Sequence, residues 1–594
     1  MWRSRNRDTS GDGPARARIA IGFLTFGFLL VGANQLRVQV SARDEILASA
    51  DGVGQLVTER AVPAERGRIY SADGRLLARS AKLFKMGMTP DRVPLSPAFF
   101  ADLSEATGVS AAELMDFAAR GGPGRDWEDL LSRSQRDAVR RIRADYQADG
   151  LWTKSAGRRE YPMGPLAAPI IGWVTDGRGR TGLEASLESS LAGEKGLVVG
   201  VTDRSGRFIP WLTRSILSRP VRNGADVYLT IDSEIQRAAM QSLAAQCELQ
   251  KADDGVVVVL NPINGDILAL ATWPDFDPDD PREALLGAAE GLRVVGPELN
   301  PAVGLRFEPG SMFKAFTVAL GIDTGVIESG ETVTCEGRKR ITDRVIRCAG
   351  DHRLKAHGAV TKELCIEASC NVAAATWAVE IGFNRLAEMI RGLGLLDRPG
   401  IGLTGEVEGD LDFDEYNKTL QAANLGFGQS LNATPVALAG AFAVFANDGM
   451  LVRPRLIMKI GAEEQPVRFG GRVFRPETAR QVLAMMEQVV QGEHGTGRSL
   501  RIPGYRLAGK TGTAQKRDPE TGRMDSGMYV SSFVGYVPAE SPKAVVLVMI
   551  DNPSAGQYYG AQVAGPVFDQ VCRFLINYWK MPAERASEEN VAAR

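Results

Sequence analysis

Ser311 and Lys314 could together form an activated nucleophile. They stand three positions apart, directly after a Pro-Gly pair, at the start of an apolar run that predicts a helix beginning near Ser311. At that spacing two side chains share one helix face. A serine hydroxyl needs a base to take its proton, and Lys314 can serve if burial lowers its pKa. The pair alone is also typical of an N-cap serine followed by a solvated lysine.

A second segment, Ser369-Cys370-Asn371, offers a hydroxyl and an amide two positions apart. Two such side chains point the same way only in an extended or turn segment, which we expect between two helices. There they could relay a proton and hold a substrate amide. Taken alone, the segment is equally typical of an ordinary helix cap.

A third segment, Lys510-Thr511-Gly512-Thr513, is predicted to lie on a strand with glycines on both sides of the Lys-Thr pair. Glycine in a strand often marks a place where another group approaches the backbone closely. A cation beside two hydroxyls suits a carboxylate ligand. The alternative is a solvated edge strand, where lysine is common.

Elements with hairpin signals must position these segments. Apolar strands are predicted over 256–260 and 267–271, joined by turn residues, and again over 532–537 and 544–550. Hairpin signals favour an antiparallel sheet over a series of parallel crossovers. The predicted fold class is therefore α/β (α+β), an antiparallel sheet flanked by helices. A chain of 594 residues exceeds one ordinary core, so several domains are expected.

The N-terminus carries a candidate membrane anchor. Residues 19–36 are uncharged and just long enough to span a bilayer as a helix. Five arginines against two aspartates precede them, so the positive-inside rule predicts a cytoplasmic N-terminus. We therefore expect a single-pass membrane protein whose bulk is extracytoplasmic (periplasmic). A cleaved signal peptide and a buried core helix are the alternatives.

Composition excludes some classes of function. Lys+Arg total 70 against Asp+Glu 72, which argues against a general nucleic-acid binder. Only three histidines are present and no CxxC pair occurs, so multi-histidine metal sites and zinc ribbons are not expected.

The order of the three segments, S-x-x-K, S-x-N and K-T-G, is the signature of penicillin-interacting serine enzymes. The chain resembles a class B penicillin-binding protein, a monofunctional peptidoglycan D,D-transpeptidase, over roughly residues 60–570. Further similar segments are 66–78, 159–164, 182–196, 229–236, 426–429, 446–449 and 495–497. The chain departs from the family at Met312-Phe313, where many relatives carry Thr after the serine. Cys370 does not distinguish the division subtype from the elongation subtype, whereas Asn371 favours the division subtype.

The resemblance implies a role for each segment. Ser311 would be the acylated nucleophile and Lys314 its base. Ser369 would pass the proton to the leaving amine, Asn371 would orient the substrate amide, and Lys510 would help to hold the terminal carboxylate. The implied substrate-binding residues are Thr511, Gly512 and Thr513. The backbone N–H groups of Ser311 and Thr513 would form the oxyanion hole.

The residues and the resemblance together predict an organisation of the chain. It comprises a cytoplasmic tail (1–18), the anchor (19–36), a polar and helical stalk (37–60), a pedestal (61–218), a transpeptidase domain (219–580) and a disordered tail (581–594). In an extracytoplasmic chain, Cys335 and Cys348 are the predicted disulfide pair, with two free thiols as the alternative. No metal and no organic cofactor are expected.

Three functions compete. The first is crosslinking of peptidoglycan stem peptides that end in D-Ala-D-Ala during septal wall synthesis, with an elongation-type enzyme as its variant. Its implied partners are β-lactams, a membrane-embedded glycan-strand polymerase and division-complex proteins, without nucleic acid. The second is a β-lactam-hydrolysing or sensing enzyme of the same fold, for which no Glu-x-x-Leu-Asn segment is found between Asn371 and Lys510. The third is a non-catalytic scaffold, which the intact motif residues disfavour.

Overall fold

The structure is a computed structural model that describes residues 13–37, 57–201, 219–281, 299–348, 356–412, 417–516 and 527–583. Most of the predicted tail 1–18, the stalk as far as residue 56, and residues 584–594 of the predicted disordered tail lie outside these residues. The described end of the stalk is a strand, Val57–Val62, where the sequence predicted helix.

The described chain contains both α-helices and β-strands over most of its length. The α-helices are Gly13–Leu36, Pro97–Thr107, Ala111–Arg120, Arg133–Asp145, Ala168–Ile171, Gly182–Ser186, Glu188–Leu191, Ser233–Gln250, Pro301–Gly304, Lys314–Thr324, Lys362–Glu367, Asn371–Ile381, Phe383–Gly392, Lys418–Gly426, Pro435–Ala446, Pro476–Gln491, Gly560–Val563 and Gly565–Tyr578. The main strands are Val57–Val62, Ile69–Tyr70, Leu76–Met88, Arg125–Leu131, Leu151–Glu160, Gly196–Val201, Val227–Leu229, Asp254–Leu260, Ile267–Trp273, Val333–Cys335, Arg338–Ile341, Arg344–Arg347, Gly358–Val360, Ile457–Ile460, Ala508–Gln515, Tyr529–Val537 and Ala544–Asp551.

The chain divides into two compact units, and the smaller comprises Met1–Ala64 with Glu194–Asn223. It contains the helix Gly13–Leu36, whose portion Arg18–Leu36 has a mean hydropathy of 1.8 and is exposed throughout. An apolar helix of this length without protein covering is consistent with a membrane anchor. The same unit holds an antiparallel ladder between Val57–Val62 and Gly196–Val201.

The larger unit, Glu65–Gly193 with Gly224–Arg594, is built on a five-stranded sheet. All its neighbouring strands are antiparallel, as the hairpin signals predicted. The strand order is Ile267–Trp273, Asp254–Leu260, Ala544–Asp551, Tyr529–Val537 and Ala508–Gln515.

Helices cover both faces of this sheet. Ser233–Gln250 and Gly565–Tyr578 pack together on one face, and Pro435–Ala446 packs on the other. Every residue of two of the three inner strands, Asp254–Leu260 and Ala544–Asp551, is therefore buried. This double burial explains their continuous apolar sequences, since a strand with one solvated face would alternate. The α/β fold class predicted from the sequence is confirmed.

A second sheet in the larger unit joins segments distant in the chain. Ile69–Tyr70 pairs in parallel with Val227–Leu229, and antiparallel with the long strand Leu76–Met88. Leu76–Met88 in turn pairs with Arg125–Leu131 and Leu151–Glu160. Strands from both sides of the predicted pedestal boundary thus share one sheet, and the boundary near residue 219 stays a prediction.

A buried ion cluster ties three of the family-like segments together. The Glu184 carboxylate is fully buried and lies 2.5 Å from Arg66 Nε and 2.6 Å from Arg159 Nε. Arg66 also pairs with the half-exposed Glu188 at 2.7 Å. Removing one partner of a buried ion pair leaves an uncompensated charge in a medium that solvates it poorly. The cluster therefore fixes the segments containing Arg66, Arg159 and Glu184 relative to one another.

We expect Glu184→Gln to lower the free energy of unfolding by about 3 kcal/mol or more, because the buried Arg159 loses its carboxylate partner and Arg66 keeps only Glu188, while the side-chain shape is kept. Asp116→Asn is the matched control, since Asp116 pairs with Arg120 on the exposed surface and its loss should cost less than about 1 kcal/mol. Urea unfolding of the full chain in detergent measures both. Equal midpoints for the two variants would contradict the cluster's role.

Candidate active site

Ser311 lies in a 3₁₀ turn, Gly310–Phe313, that runs directly into the helix Lys314–Thr324. The helix start predicted near Ser311 is thus confirmed, with the first turn tighter than an α-helix. Gly310 donates a backbone hydrogen bond to the Gly428 carbonyl at 3.0 Å. A Cβ on Gly428 would lie 2.1 Å from the Gly310 carbonyl oxygen. The absence of a side chain at Gly428 is therefore what lets this segment hold the turn that carries Ser311.

Lys314 is fully buried and joins the first two motifs. Its Nζ donates hydrogen bonds to Ser311 Oγ at 2.8 Å, to Ser369 Oγ at 2.9 Å and to the Ser369 carbonyl at 2.8 Å. Burial lowers the pKa of Lys314 to about 8, because the charged amine loses its hydration. A fraction of the Lys314 amine is therefore neutral near neutral pH, as a proton acceptor must be.

Ser369 occupies the turn between the helices Lys362–Glu367 and Asn371–Ile381, as predicted. Its φ is +59°, a left-handed conformation that non-glycine residues adopt rarely and that the surroundings must enforce. Asn371 begins the second helix, and its Nδ2 donates to the Arg347 carbonyl at 2.9 Å. The strained backbone conformation of Ser369 therefore occurs at the residue whose hydroxyl contacts Lys314.

Lys510 lies on Ala508–Gln515, an edge strand of the central sheet, yet its side chain is fully buried. Its Nζ donates to Ser369 Oγ at 3.0 Å. Burial and the neighbouring Lys314 amine hold the pKa of Lys510 well below its usual value. The solvated edge-strand interpretation of Lys510 is therefore wrong.

The other residues of the third motif contact neighbouring segments of the chain. Thr511 Oγ1 lies 3.0 Å from Thr496 Oγ1, and Thr513 Oγ1 accepts a hydrogen bond from the Gly560 backbone at 3.0 Å. A Cβ on Gly512 would lie 2.3 Å from Ser532 Oγ and 3.0 Å from the Pro309 carbonyl oxygen. Glycine at 512 lets the strand pass directly beside the turn that carries Ser311.

A cleft of about 600 Å³ opens over these motifs. Its lining includes Ser311, Ser369, Asn371, Thr511 and Thr513. The structure thus brings together the side chains that the sequence placed in three separate motifs. It adds residues that the sequence analysis did not select, namely Gln429, Thr496, Ser499, Tyr559 and Gln562. Of these, Gln429 and Thr496 lie in segments already noted as family-like.

The predicted Cys335–Cys348 disulfide is not present in the structure, where both residues are free thiols with their sulfurs 3.6 Å apart. Cys348 is equally close to a third thiol, Cys370, at 3.7 Å, and Cys335 contacts His357 Nδ1 at 3.5 Å. All four donor atoms lie within 4.8 Å of one another. The sequence predicted no metal and indicated only Cys335 and Cys348 of these four residues, since folding brings together possible ligands that no local motif announces.

Comparison with known proteins agrees with this geometry. Residues 61–229 match the penicillin-binding protein dimerisation domain, and residues 255–573 match the penicillin-binding protein transpeptidase domain.

Relatives and solved structures cover most of the chain. The probable peptidoglycan D,D-transpeptidase PenA of Neisseria gonorrhoeae is 32% identical over 89% of this chain and 86% of its own length. Penicillin-binding protein PbpB of Mycobacterium tuberculosis is 30% identical over 93% and 84%. The crystal structure of penicillin-binding protein 3 from Mycobacterium tuberculosis, complexed with aztreonam, is similar with a TM-score of 0.65 and 27% identity over 89% of this chain and 98% of that chain. Two matched domains and relatives of this extent show that the chain belongs to the class B penicillin-binding proteins.

Proposed function

We propose that the protein is a peptidoglycan D,D-transpeptidase that crosslinks stem peptides through a serine acyl-enzyme. One observation carries the proposal: an unbroken series of hydrogen bonds runs from Ser311 through Lys314 and Ser369 to Lys510. Such a series connects a nucleophile, a base and a proton shuttle without any further group. The names of PenA and the complex of the mycobacterial relative with aztreonam support the same reaction class.

The base is assigned by contact. Two protonated amines around one hydroxyl repel each other, so the buried pair Lys314 and Lys510 favours a state with at least one neutral amine. Of the two, Lys314 contacts Ser311 Oγ, at 2.8 Å. Lys314 therefore takes the Ser311 proton as the hydroxyl oxygen attacks the carbonyl carbon between the two D-alanines.

The remaining groups act on the tetrahedral intermediate. The backbone N–H groups of Ser311 and Thr513 stabilise its oxyanion. Ser369 passes the proton from Lys314 to the departing D-Ala nitrogen as the C–N bond breaks, and Asn371 orients the substrate amide. Lys510, with the hydroxyls of the third motif, holds the terminal carboxylate. An amine of a neighbouring stem peptide then attacks the ester carbonyl carbon, the bond from that carbon to Ser311 Oγ breaks, and a proton from the amine returns through Lys314 to Ser311 Oγ.

The cellular setting extends the proposal. The helix Gly13–Leu36 serves as a single anchor in the cell membrane with the N-terminus in the cytoplasm, and the pedestal 61–218 and catalytic domain 219–580 lie outside it. The partners are a membrane-embedded glycan-strand polymerase and other division proteins. Asn371 in the second motif favours the septal over the elongation type.

We expect depletion of the protein to give filamentous cells and a fluorescent fusion to concentrate at midcell, because a septal enzyme acts only at the division plane. Microscopy of dividing cells measures both. Round or swollen cells with lateral-wall fluorescence would assign the protein to elongation instead.

We expect incubation of the full chain with a penicillin to add the intact mass of the β-lactam. When the ring opens, the cleaved amide nitrogen stays attached to the acyl group, so no part of the molecule is lost. Ser311→Ala should abolish the adduct, whereas Ser499→Ala should retain it, since Ser499 lines the same cleft without contacting Lys314. Intact-mass spectrometry measures both. Rapid loss of the adduct would indicate a β-lactam hydrolase, and an adduct never formed would indicate a non-catalytic scaffold.

We expect the rate of acylation to rise about tenfold per pH unit below pH 8 and to level off above it, because protonation of Lys314 removes the base. The sign follows from the lowered pKa of Lys314, since the productive form is neutral and disappears as pH falls through about 8. Stopped-flow measurement with a chromogenic β-lactam checks this. Lys314→Ala should abolish the rise of the acylation rate below pH 8 and lower that rate at least about 100-fold. An acylation rate of the wild-type chain that does not change with pH would refute Lys314 as the base.

A further inference from the structure

Four donor atoms converge beside the second motif. They are the sulfurs of Cys335, Cys348 and Cys370 and the Nδ1 atom of His357, and all lie within 4.8 Å of one another. The three cysteines are at most 4% exposed, and His357 is half-buried. Three thiols and an imidazole in one buried position form a complete set of soft and borderline ligands.

Three of the six distances between the donor atoms are close to those of a tetrahedral site, and the other three are at most 4.8 Å. Ligands at about 2.3 Å (sulfur) and about 2.1 Å (nitrogen) from a central ion have S···S edges of about 3.8 Å and S···N edges of about 3.6 Å. The structure has S···S distances of 3.6 and 3.7 Å and an S···N distance of 3.5 Å. A disulfide would bring two sulfurs to about 2.05 Å and leave the third thiol and the imidazole unused.

Backbone donors support thiolate sulfur. The Gly337 N–H donates to Cys335 Sγ at 3.4 Å, and the Ala373 N–H donates to Cys370 Sγ at 3.4 Å. Hydrogen bonds of this kind orient metal-bound thiolates and stabilise their charge.

We propose that the protein binds one Zn²⁺ ion through Cys335, Cys348, Cys370 and His357. A Cys₃His set is typical of structural zinc, since four protein ligands leave no open position for water. The site has no part in bond making or breaking.

The ion would link the catalytic turn to the segments that surround it. Cys335 ends the strand Val333–Cys335, Cys348 directly follows Arg344–Arg347, and His357 directly precedes Gly358–Val360. Cys370 stands between the two polar residues of the second motif and caps the helix Asn371–Ile381.

Holding Cys370 restrains both of its neighbours. Ser369 keeps the left-handed φ of +59° and contacts both buried lysines. Asn371 is already tied to the Arg347 carbonyl, one residue before Cys348. Zinc therefore acts as a positioning device for Ser369 and Asn371. This effect on activity rests on the proposed function, whereas zinc binding itself does not.

We expect the full chain in detergent to bind about one zinc per chain. The chain is either purified without a chelator, or first reduced and then titrated with ZnCl₂. Elemental analysis and a colorimetric zinc assay measure the ratio. Cys348→Ser and His357→Ala should each lower retained zinc to below about a tenth after dialysis, because three ligands hold the ion far more weakly. Cys365→Ala is the matched control, a buried thiol one turn from Cys370 that lies outside the cluster, and it should keep the full amount.

A second measurement does not depend on whether a variant folds. Chelation of zinc from the wild-type chain should lower its Tm and slow penicillin acylation about 10- to 100-fold, since small displacements of a catalytic group are costly. Re-addition of ZnCl₂ should restore both. If zinc binds but acylation is absent in every form, the proposed function fails and the zinc site stands.

Two outcomes would contradict the proposal that zinc binds at these four residues. One is a chain that takes up no zinc while all its thiols react with a thiol reagent. The other is a chain whose intact mass is 2 Da low, about two hydrogens lost to a disulfide among these cysteines.

Discussion

Exclusion of water around two lysine amines is the constraint on which the rest of the structure depends. Lys314 and Lys510 are both fully buried, and both donate to the hydroxyl of Ser369. An amine in water stays protonated at neutral pH, so neither could accept a proton if the site were open around it. The helix, the turn and the edge strand must therefore meet with no gap at this point. The proposed activation of Ser311 thus depends on packing as much as on residue type.

The scaffold explains how that packing is achieved. The central sheet is buried on both faces, and its edge strand Ala508–Gln515 runs beside the 3₁₀ turn that carries Ser311. Gly512 has no side chain to separate the strand from this turn, and Gly428 has none to separate the turn from the segment 426–429. The two glycines thus let the turn that carries Ser311 lie close to both neighbouring segments, and the buried cores hold these distances fixed.

Local signals in the sequence were sufficient for the placement of each motif. The Pro-Gly pair before Ser311 predicted a helix start, and turn residues predicted the hairpins of the central sheet. Features that depend on distant partners could not be predicted. Val57–Val62 is a strand because it pairs with Gly196–Val201, far along the chain. The burial of Lys510 and the meeting of Cys335 with Cys370 likewise depend on tertiary folding, although clustering of scarce Cys and His residues was a usable signal.

The pairing of strands distant in sequence also sets the order of assembly. Ile69–Tyr70 is synthesised long before its partner Val227–Leu229, and Asp254–Leu260 long before Ala544–Asp551. Contacts of such long range form slowly, because large loops must close before any pairing stabilises them. The central sheet is incomplete until its last strand has been made, so the cleft forms near the end of synthesis. Early strands can form their local hairpins but lack their distant partners meanwhile, and this interval is when the chain is most exposed to aggregation and proteolysis.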